Sequence, residues 1–163
     1  MSTTTKIATA AVLTAIAAAA AIPALTGAKG SDSRTITARD KVQGVQFVHA
    51  DPATKGERLA LGDRVITRQA TFDTKDKPTG TLTTDCVNVG EEAEVFEATL
   101  QCTSVYSFKN GQIVTSGVVR LDNPAGRIAV TGGTGAYAKA SGEVGAAKPV
   151  KGYDTVDLIR LGG

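Results

Sequence analysis

Residues 97–121, "EATLQCTSVYSFKNGQIVTSGVVRL", constrain this chain more than any other stretch. Two runs rich in β-branched and aromatic residues flank Asn110-Gly111, a pair that reverses an extended chain readily because both residues tolerate positive φ. With Asn110 and Gly111 as the loop, Phe108 faces Ile113, Tyr106 faces Thr115, Ser104 faces Gly117, Cys102 faces Val119 and Leu100 faces Leu121. Side chains alternate between the two faces of a strand. One face of the hairpin therefore carries Leu100, Cys102, Ser104, Tyr106 and Phe108 beside Ile113, Thr115, Val119 and Leu121. Thr99, Gln101, Thr103, Val105 and Ser107, on the other face, are mostly polar. One side is built for an interior and the other for water.

The same grammar recurs along the chain. Strand-like runs cover Val42–His49, Arg64–Phe72, Thr81–Val89, Ile128–Thr131, Ala140–Val144 and Tyr153–Leu161, with a polar turn at Asp73–Gly80. A loop centred near Glu94 sets Cys86 opposite Cys102, Thr84 opposite Ser104 and Leu82 opposite Tyr106. Beyond residue 28 no segment sustains a helical period, and glycine is frequent, at 18 in all. Alternating strands with frequent turns predict an all-β domain, a sandwich or a closed barrel, in which the last strand can close the sheet against the first.

Residues 1–28 read differently. A short, weakly positive start to Lys6 precedes an uncharged, alanine-rich run from Ile7 to Ile22, then Pro23 and the small residues Thr26-Gly27-Ala28. This layout predicts a helical secretory signal peptide cleaved after Ala28, with Ala24 as the alternative. The apolar run has 16 residues, short of the ~20 that span a bilayer. The domain plan is then a signal peptide at 1–28, a flexible leader at 29–41 and one β domain at 42–163, secreted and with no membrane contact once cleaved. Without Lys6 the chain has 17 basic and 16 acidic residues, dispersed. No basic stripe awaits a phosphate backbone, which argues against nucleic acid. In an oxidising compartment the two cysteines, Cys86 and Cys102, form a disulfide by default. A free, reactive thiol is the competing reading.

"RIAVTGGTGAYAKASGEV", residues 127–144, imitates a nucleotide-binding motif, since Gly133 to Ala138 fits G-x-G-x-x-G/A. Such a motif needs a helix whose N-terminal amides face a pyrophosphate. Gly142 arrives seven residues after Gly135, with Ser141 beside it, and only 28 residues remain after Gly135. The spacing predicts a turn between two strands, built on glycine's freedom at positive φ. Nothing in the sequence calls for a cofactor.

"GDRVITRQATFD", "GTLTTDCVNV", "FKNGQIVTSG" and "AVTGGTGAYAKASGEV" occur in the order found in allene oxide cyclase-like barrels and plant dirigent proteins. The chain resembles these families over Val42–Leu161, above all in the pattern GGTG-x-Y-x-x-A-x-G at Gly132–Gly142. The resemblance implies an eight-stranded antiparallel, calycin-like barrel, often a homotrimer, with a mostly apolar lumen open at one end. It places His49 where the plant cyclase has a glutamate, Asp51 where it has an asparagine, Gln69 at a water-holding asparagine and Cys86 at a retained cysteine. Because the carboxylate is replaced by an imidazole, the expectation moves away from allene oxide cyclisation itself.

The candidate catalytic residues are therefore His49, an imidazole suited to acid–base work, and Cys86, with a disulfide to Cys102 as the alternative. Gln69, Thr84, Ser104 and Tyr106 are the candidate ligand contacts. His49 at a strand end also fits an ordinary surface residue, and Tyr106 also fits a space-filling one. A zinc site of His49, Cys86 and Cys102 matches no metal spacing, so no metal is expected. A carboxylate pair drawn from Glu57, Asp73 and Glu143 would suit a glycosidase only at a fixed separation. The leading expectation is a cyclase- or isomerase-like protein that confines a small apolar substrate. A lipocalin-like binding barrel and a structural barrel with a filled interior are the alternatives.

Overall fold

A computed structural model describes residues 33–52, 56, 58–123, 126–148 and 150–162. The expected signal peptide and residues 29–32 of the leader lie outside these, as does Glu57. Ten strands follow one another: β1 Arg34–Val48, β2 Arg58–Leu59, β3 Arg64–Phe72, β4 Pro78–Asn88, β5 Ala93–Glu94, β6 Leu100–Phe108, β7 Gly111–Val119, β8 Arg127–Gly133, β9 Ser141–Ala146 and β10 Thr155–Gly162. Eight of them close a barrel in the order β1-β10-β9-β8-β7-β6-β4-β3, while β2 and β5 form a separate two-stranded sheet. Every barrel pairing is antiparallel. Of the sandwich and the closed barrel that the strand pattern allows, the chain forms the barrel, with the eight antiparallel strands that the resemblance implies. No described helix is long and apolar enough to cross a membrane.

β1 begins at Arg34, so residues 34–41 of the expected leader are strand. The run "ARDK" looks like polar linker, yet Ile36, Ala38 and Asp40 face Ile159, Asp157 and Thr155 of β10 across the ladder. A carboxyl at an inward position broke the apolar alternation and hid the strand. Further along, Val42 faces Gln69 and Val45 faces Thr67, with a bulge between Val42 and Gly44. Gln69 and Thr67 share a face of β3, so the extra residue lets β1 keep its inward set inward while changing parity.

The pairing of β4 with β6 matches the predicted register, with Cys86 opposite Cys102, Thr84 opposite Ser104 and Leu82 opposite Tyr106. The next hairpin requires a correction. Its turn residues are Lys109 and Asn110, and Phe108 pairs with Gly111, so Tyr106 meets Ile113 and Ser104 meets Thr115. The slip is by two residues, which preserves every side chain's face. Neither turn residue has a positive φ. Gly111 serves close approach instead, because a Cβ there would sit 2.1 Å from the Thr134 carbonyl oxygen.

That approach explains the glycine cluster. Gly135 has φ 58°, and a Cβ on it would lie 2.4 Å from the Asn110 carbonyl oxygen. The two turns lie backbone on backbone, with the Thr134 amide donating to Gln112 O and the Ala136 amide to Asn110 O, both at 2.9 Å. One turn of 3-10 helix, Gly135–Tyr137, follows. It is far too short for a phosphate cradle, but it drives Tyr137 into the barrel end, where it packs with Ile113, Val144, Ile159 and Leu161. This end is closed. A second cluster of Leu59, Val95, Ala98 and Leu100, with Phe47 and Phe96 against it, caps part of the other end. Burying each such side chain contributes roughly 1.5–3 kcal/mol.

Cys86 and Cys102 are joined by a disulfide across β4 and β6, and no described cysteine is free. The two cysteines are 16 residues apart in sequence, and the cross-link stabilises by about 3 kcal/mol in the chain-entropy model. Urea unfolding with and without reductant should show a loss of that order, and the Cys86→Ala/Cys102→Ala variant should match the reduced protein. An unchanged midpoint would remove the disulfide from the stability account.

Candidate functional site

Between the closed end and the cap lies a cavity of about 200 Å³. Its walls are mostly apolar, with Val65, Leu82, Leu100, Val119, Ile128 and Val144 among them. Strand alternation also delivers polar groups to it. Thr67 and Gln69 come from β3, Thr84 from β4, Ser104 and Tyr106 from β6, and Thr155 and Asp157 from β10. All four residues expected to contact a ligand, Gln69, Thr84, Ser104 and Tyr106, thus line one cavity.

Their hydrogen bonds divide them into two groups. Thr84 and Ser104 satisfy one another at 2.9 Å across the β4–β6 ladder. The second group is richer in chemistry. The Tyr106 hydroxyl donates to Asp157 Oδ2 at 2.6 Å, and the Thr155 hydroxyl donates to Gln69 Oε1 at 3.3 Å. Beside them Asp40 is fully buried between Thr155 and Thr71. Neither of its carboxyl oxygens has a hydrogen-bond partner among the described residues, nor does the buried Thr67 hydroxyl.

Burial decides the protonation of this cluster. Desolvation, and then the nearby charge of Asp157, push the Asp40 carboxyl up to about 8. Desolvation also raises Asp157, to about 6, against the opposing effect of the Tyr106 hydrogen bond. The Tyr106 hydroxyl is raised well above its ordinary value, first by burial and then by Asp157. At neutral pH the cluster therefore holds a carboxylate on Asp157, a protonated Asp40 and a phenol that stays protonated. A proton acceptor and a proton donor share the wall of an apolar chamber. Two carboxyls take different roles because their surroundings differ.

His49 is not brought to this cavity. It lies just beyond β1, with Nδ1 2.8 Å from Asp63 Oδ2, and its ring stacks against Phe47. Asp63 is fully buried and also accepts the Ala50 and Ala60 amides, at 2.7 and 3.0 Å. The His49 hydrogen bond, ahead of those amides, holds the Asp63 carboxyl below its usual range. This imidazole fastens the β1–β3 connection to the barrel rim. Cys86 lines the cavity, but as half of the disulfide. A bonded sulfur is no nucleophile, so the expectation of a lumen thiol is replaced by that of a staple, and the zinc set of His49, Cys86 and Cys102 falls with it. Asp73 binds the Lys75 and Lys77 amides of its own turn, and Glu143 pairs with Arg127 and Arg160. Those two do not meet as a glycosidase pair.

Sequence reasoning passed over Asp40 and Asp157. The signal for Asp157 lies in "TVDLIRL", where it shares parity with Ile159 and Leu161. An acid on the apolar face of a strand is either costly or functional.

No family model matches the chain, and no curated protein does. Solved structures do share its fold. It is similar to a pyocyanin demethylase with 23% identity and a TM-score of 0.63, over 79% of this chain and 100% of that one. It is similar to a pterocarpan synthase dirigent protein with 18% identity and a TM-score of 0.55, over 79% of this chain and 91% of the other. A Diels-Alderase from Streptomyces koyangensis matches with 16% identity and a TM-score of 0.51, over 80% of this chain and 68% of its own. The barrel is the one that the resemblance to allene oxide cyclase-like and dirigent proteins implies.

The Asp40 carboxyl makes stability depend on pH in a definite direction. An acid with a raised folded-state pKa binds its proton more tightly when folded, so stability is full below the unfolded value near 4 and falls as pH climbs towards about 8. Each tenfold change in proton affinity contributes ~1.4 kcal/mol, so the loss is on the order of several kcal/mol. Asp40→Asn, neutral at every pH, should flatten this fall in urea melts run from pH 5 to 9. Parallel curves for wild type and variant would refute the assignment.

Proposed function

We propose that this barrel confines a small, mostly apolar molecule and directs its cyclisation or stereochemistry, as an isomerase- or cyclase-like protein. The observation that carries this reading is the Tyr106–Asp157 pair set into the wall of a mostly apolar cavity. Its volume, about 200 Å³, exceeds the ~150 Å³ that suffices to bind benzene in an engineered core. A substituted ring or a folded chain of similar bulk fits. Confinement lowers the entropic part of a ring-closing barrier. Tyr106 supplies a proton to a developing oxyanion, and Asp157 takes one from a carbon or hydroxyl acid.

The shared fold with a dirigent protein and a Diels-Alderase supports a role in directing ring formation. A storage barrel has no need of Asp40 and Asp157, since buried carboxyls destabilise a fold and apolar residues would retain a greasy ligand as well. The alanine-rich leader and the disulfide support export to an oxidising compartment.

The test is a ligand and turnover screen on the exported protein. The panel holds one-, two- and three-ring aromatics, pyocyanin among them, together with linear conjugated dienes. Binding is read by thermal shift and native mass spectrometry, and products by chiral chromatography. At least one compound should bind and be converted with a single handedness. Ala146→Phe, which fills the cavity next to Asp157, should abolish binding. Tyr106→Phe should retain binding and slow turnover by about 10²-fold or more. No binding across the panel, or binding indifferent to Ala146→Phe, would overturn the reading.

A further inference from the structure

Among the described residues, the charge on the β3 and β10 wall of the cavity has one sign. Asp157 engages Tyr106 through Oδ2 alone, and its other oxygen has no hydrogen-bond partner among the described residues. Asp40 lies behind it, outside the cavity lining, with both oxygens unpartnered among the described residues. Thr67 Oγ1, buried and unpartnered, and Gln69 Oε1 add further acceptors to the same wall. Among the described residues lining the cavity, Arg120 alone is basic. Arg39 is spent on Asp76, Arg64 on Asp85, and Arg127 and Arg160 on Glu143. Lys41 sits over the Phe72 and Tyr153 rings. Arg120, which reaches the cavity rim, is held by Asp122.

A buried carboxylate without a cation is stable only if something supplies the counter-charge or a proton. Asp40, which does not line the cavity, keeps its own proton, and to Asp157 the protein supplies a single hydroxyl. From this geometry we infer that the ligand supplies the rest: the end of the molecule that reaches Asp157 carries a positively charged nitrogen, an ammonium or iminium group, on an otherwise apolar body. This rests on the reading of the cavity as a ligand site and names the substrate class for it. The inference cuts against an acid-headed ligand such as a fatty carboxylate, which would bring a second negative charge beside Asp157 with no arginine to receive it. It also gives the cavity an orientation. The apolar body packs against Leu100, Val119 and Ile128 while the nitrogen meets the acceptors of β3 and β10. Three N–H donors of a primary ammonium suit several acceptors better than a single hydroxyl does.

Three phenyl compounds of matched skeleton separate charge from bulk: 2-phenylethylammonium, propylbenzene and 3-phenylpropanoate. Isothermal titration into the intact protein should show the ammonium binding about tenfold or more tightly than propylbenzene, the gain expected of a charge-assisted hydrogen bond. The carboxylate should bind more weakly than either. Asp157→Asn should erase the ammonium preference and leave propylbenzene unchanged. Tyr106→Phe, which frees a second oxygen of Asp157, should keep the preference, so the inference stays testable if the asparagine variant fails to fold. Propylbenzene binding as well as the ammonium, or a preference that survives Asp157→Asn, would overturn the inference and leave the cavity reading intact. If none of the three binds to protein whose β-sheet circular dichroism is normal, the ligand-site reading fails and takes the inference with it.

Discussion

Everything in this molecule depends on β1 pairing with two partners at once. Its 15 residues lie against β10 through the first half and against β3 through the second, and Arg39 and Asp40 belong to both ladders. Without that double engagement the sheet would have two open edges, each a row of unpaired amides and carbonyls. It would also have no inside. Closure turns an alternating pattern into a lumen and forces the inward residue at the seam, Asp40, out of contact with water. The burial that perturbs Asp40 is therefore a by-product of the closing pairing. Asp157, directly across the ladder from Ala38, is held by the same seam.

The two ends of the barrel are treated unequally, and that asymmetry makes a chamber rather than a channel. At one end, glycines let two turns touch through their backbones, and Tyr137 is driven inward as a plug. At the other, β2 and β5 hold a small apolar cap, and His49 with Asp63 ties down the connection that leads to it. The disulfide braces the wall between. Apolar side chains fill the closed end of the lumen, and the polar residues of β3, β4, β6 and β10 share the walls of the rest with apolar ones.

Much of this was written in the local pattern. Period-two alternation located the strands, and a loop centred near Glu94 set Cys86 against Cys102 on the inward face of the neighbouring hairpin. The same parity placed Gln69, Thr84, Ser104 and Tyr106 on the inner surface. What escaped was non-local. The Asn110–Gly111 pair resembles an ordinary tight turn, and nothing within the hairpin says that Thr134 will press on Gly111 and move the register by two. His49 ends its strand as expected, but only the fold reveals that Asp63 waits for its ring. Asp40 and Asp157 were discounted because acids on an apolar face contradict the pattern that finds strands, so a search tuned to that pattern discards the residues that make the site.

The bulge in β1 has a consequence for how such a chain can change over generations. Lining and coat are two texts interleaved one residue apart, and substitutions can edit either without disturbing the other. Insertions and deletions cannot. Removing one residue from a regular strand such as β6 would exchange inner and outer faces beyond the deletion, presenting Val105 or Ser107 to the lumen. Only at the bulge, where an extra residue lies between Val42 and Gly44, can one residue be lost with every face kept. Length changes are thus confined to the bulge and the connections at the rim, while the chemistry of the chamber drifts by point substitution alone. A barrel of this kind can acquire new ligands quickly and new strand lengths hardly at all.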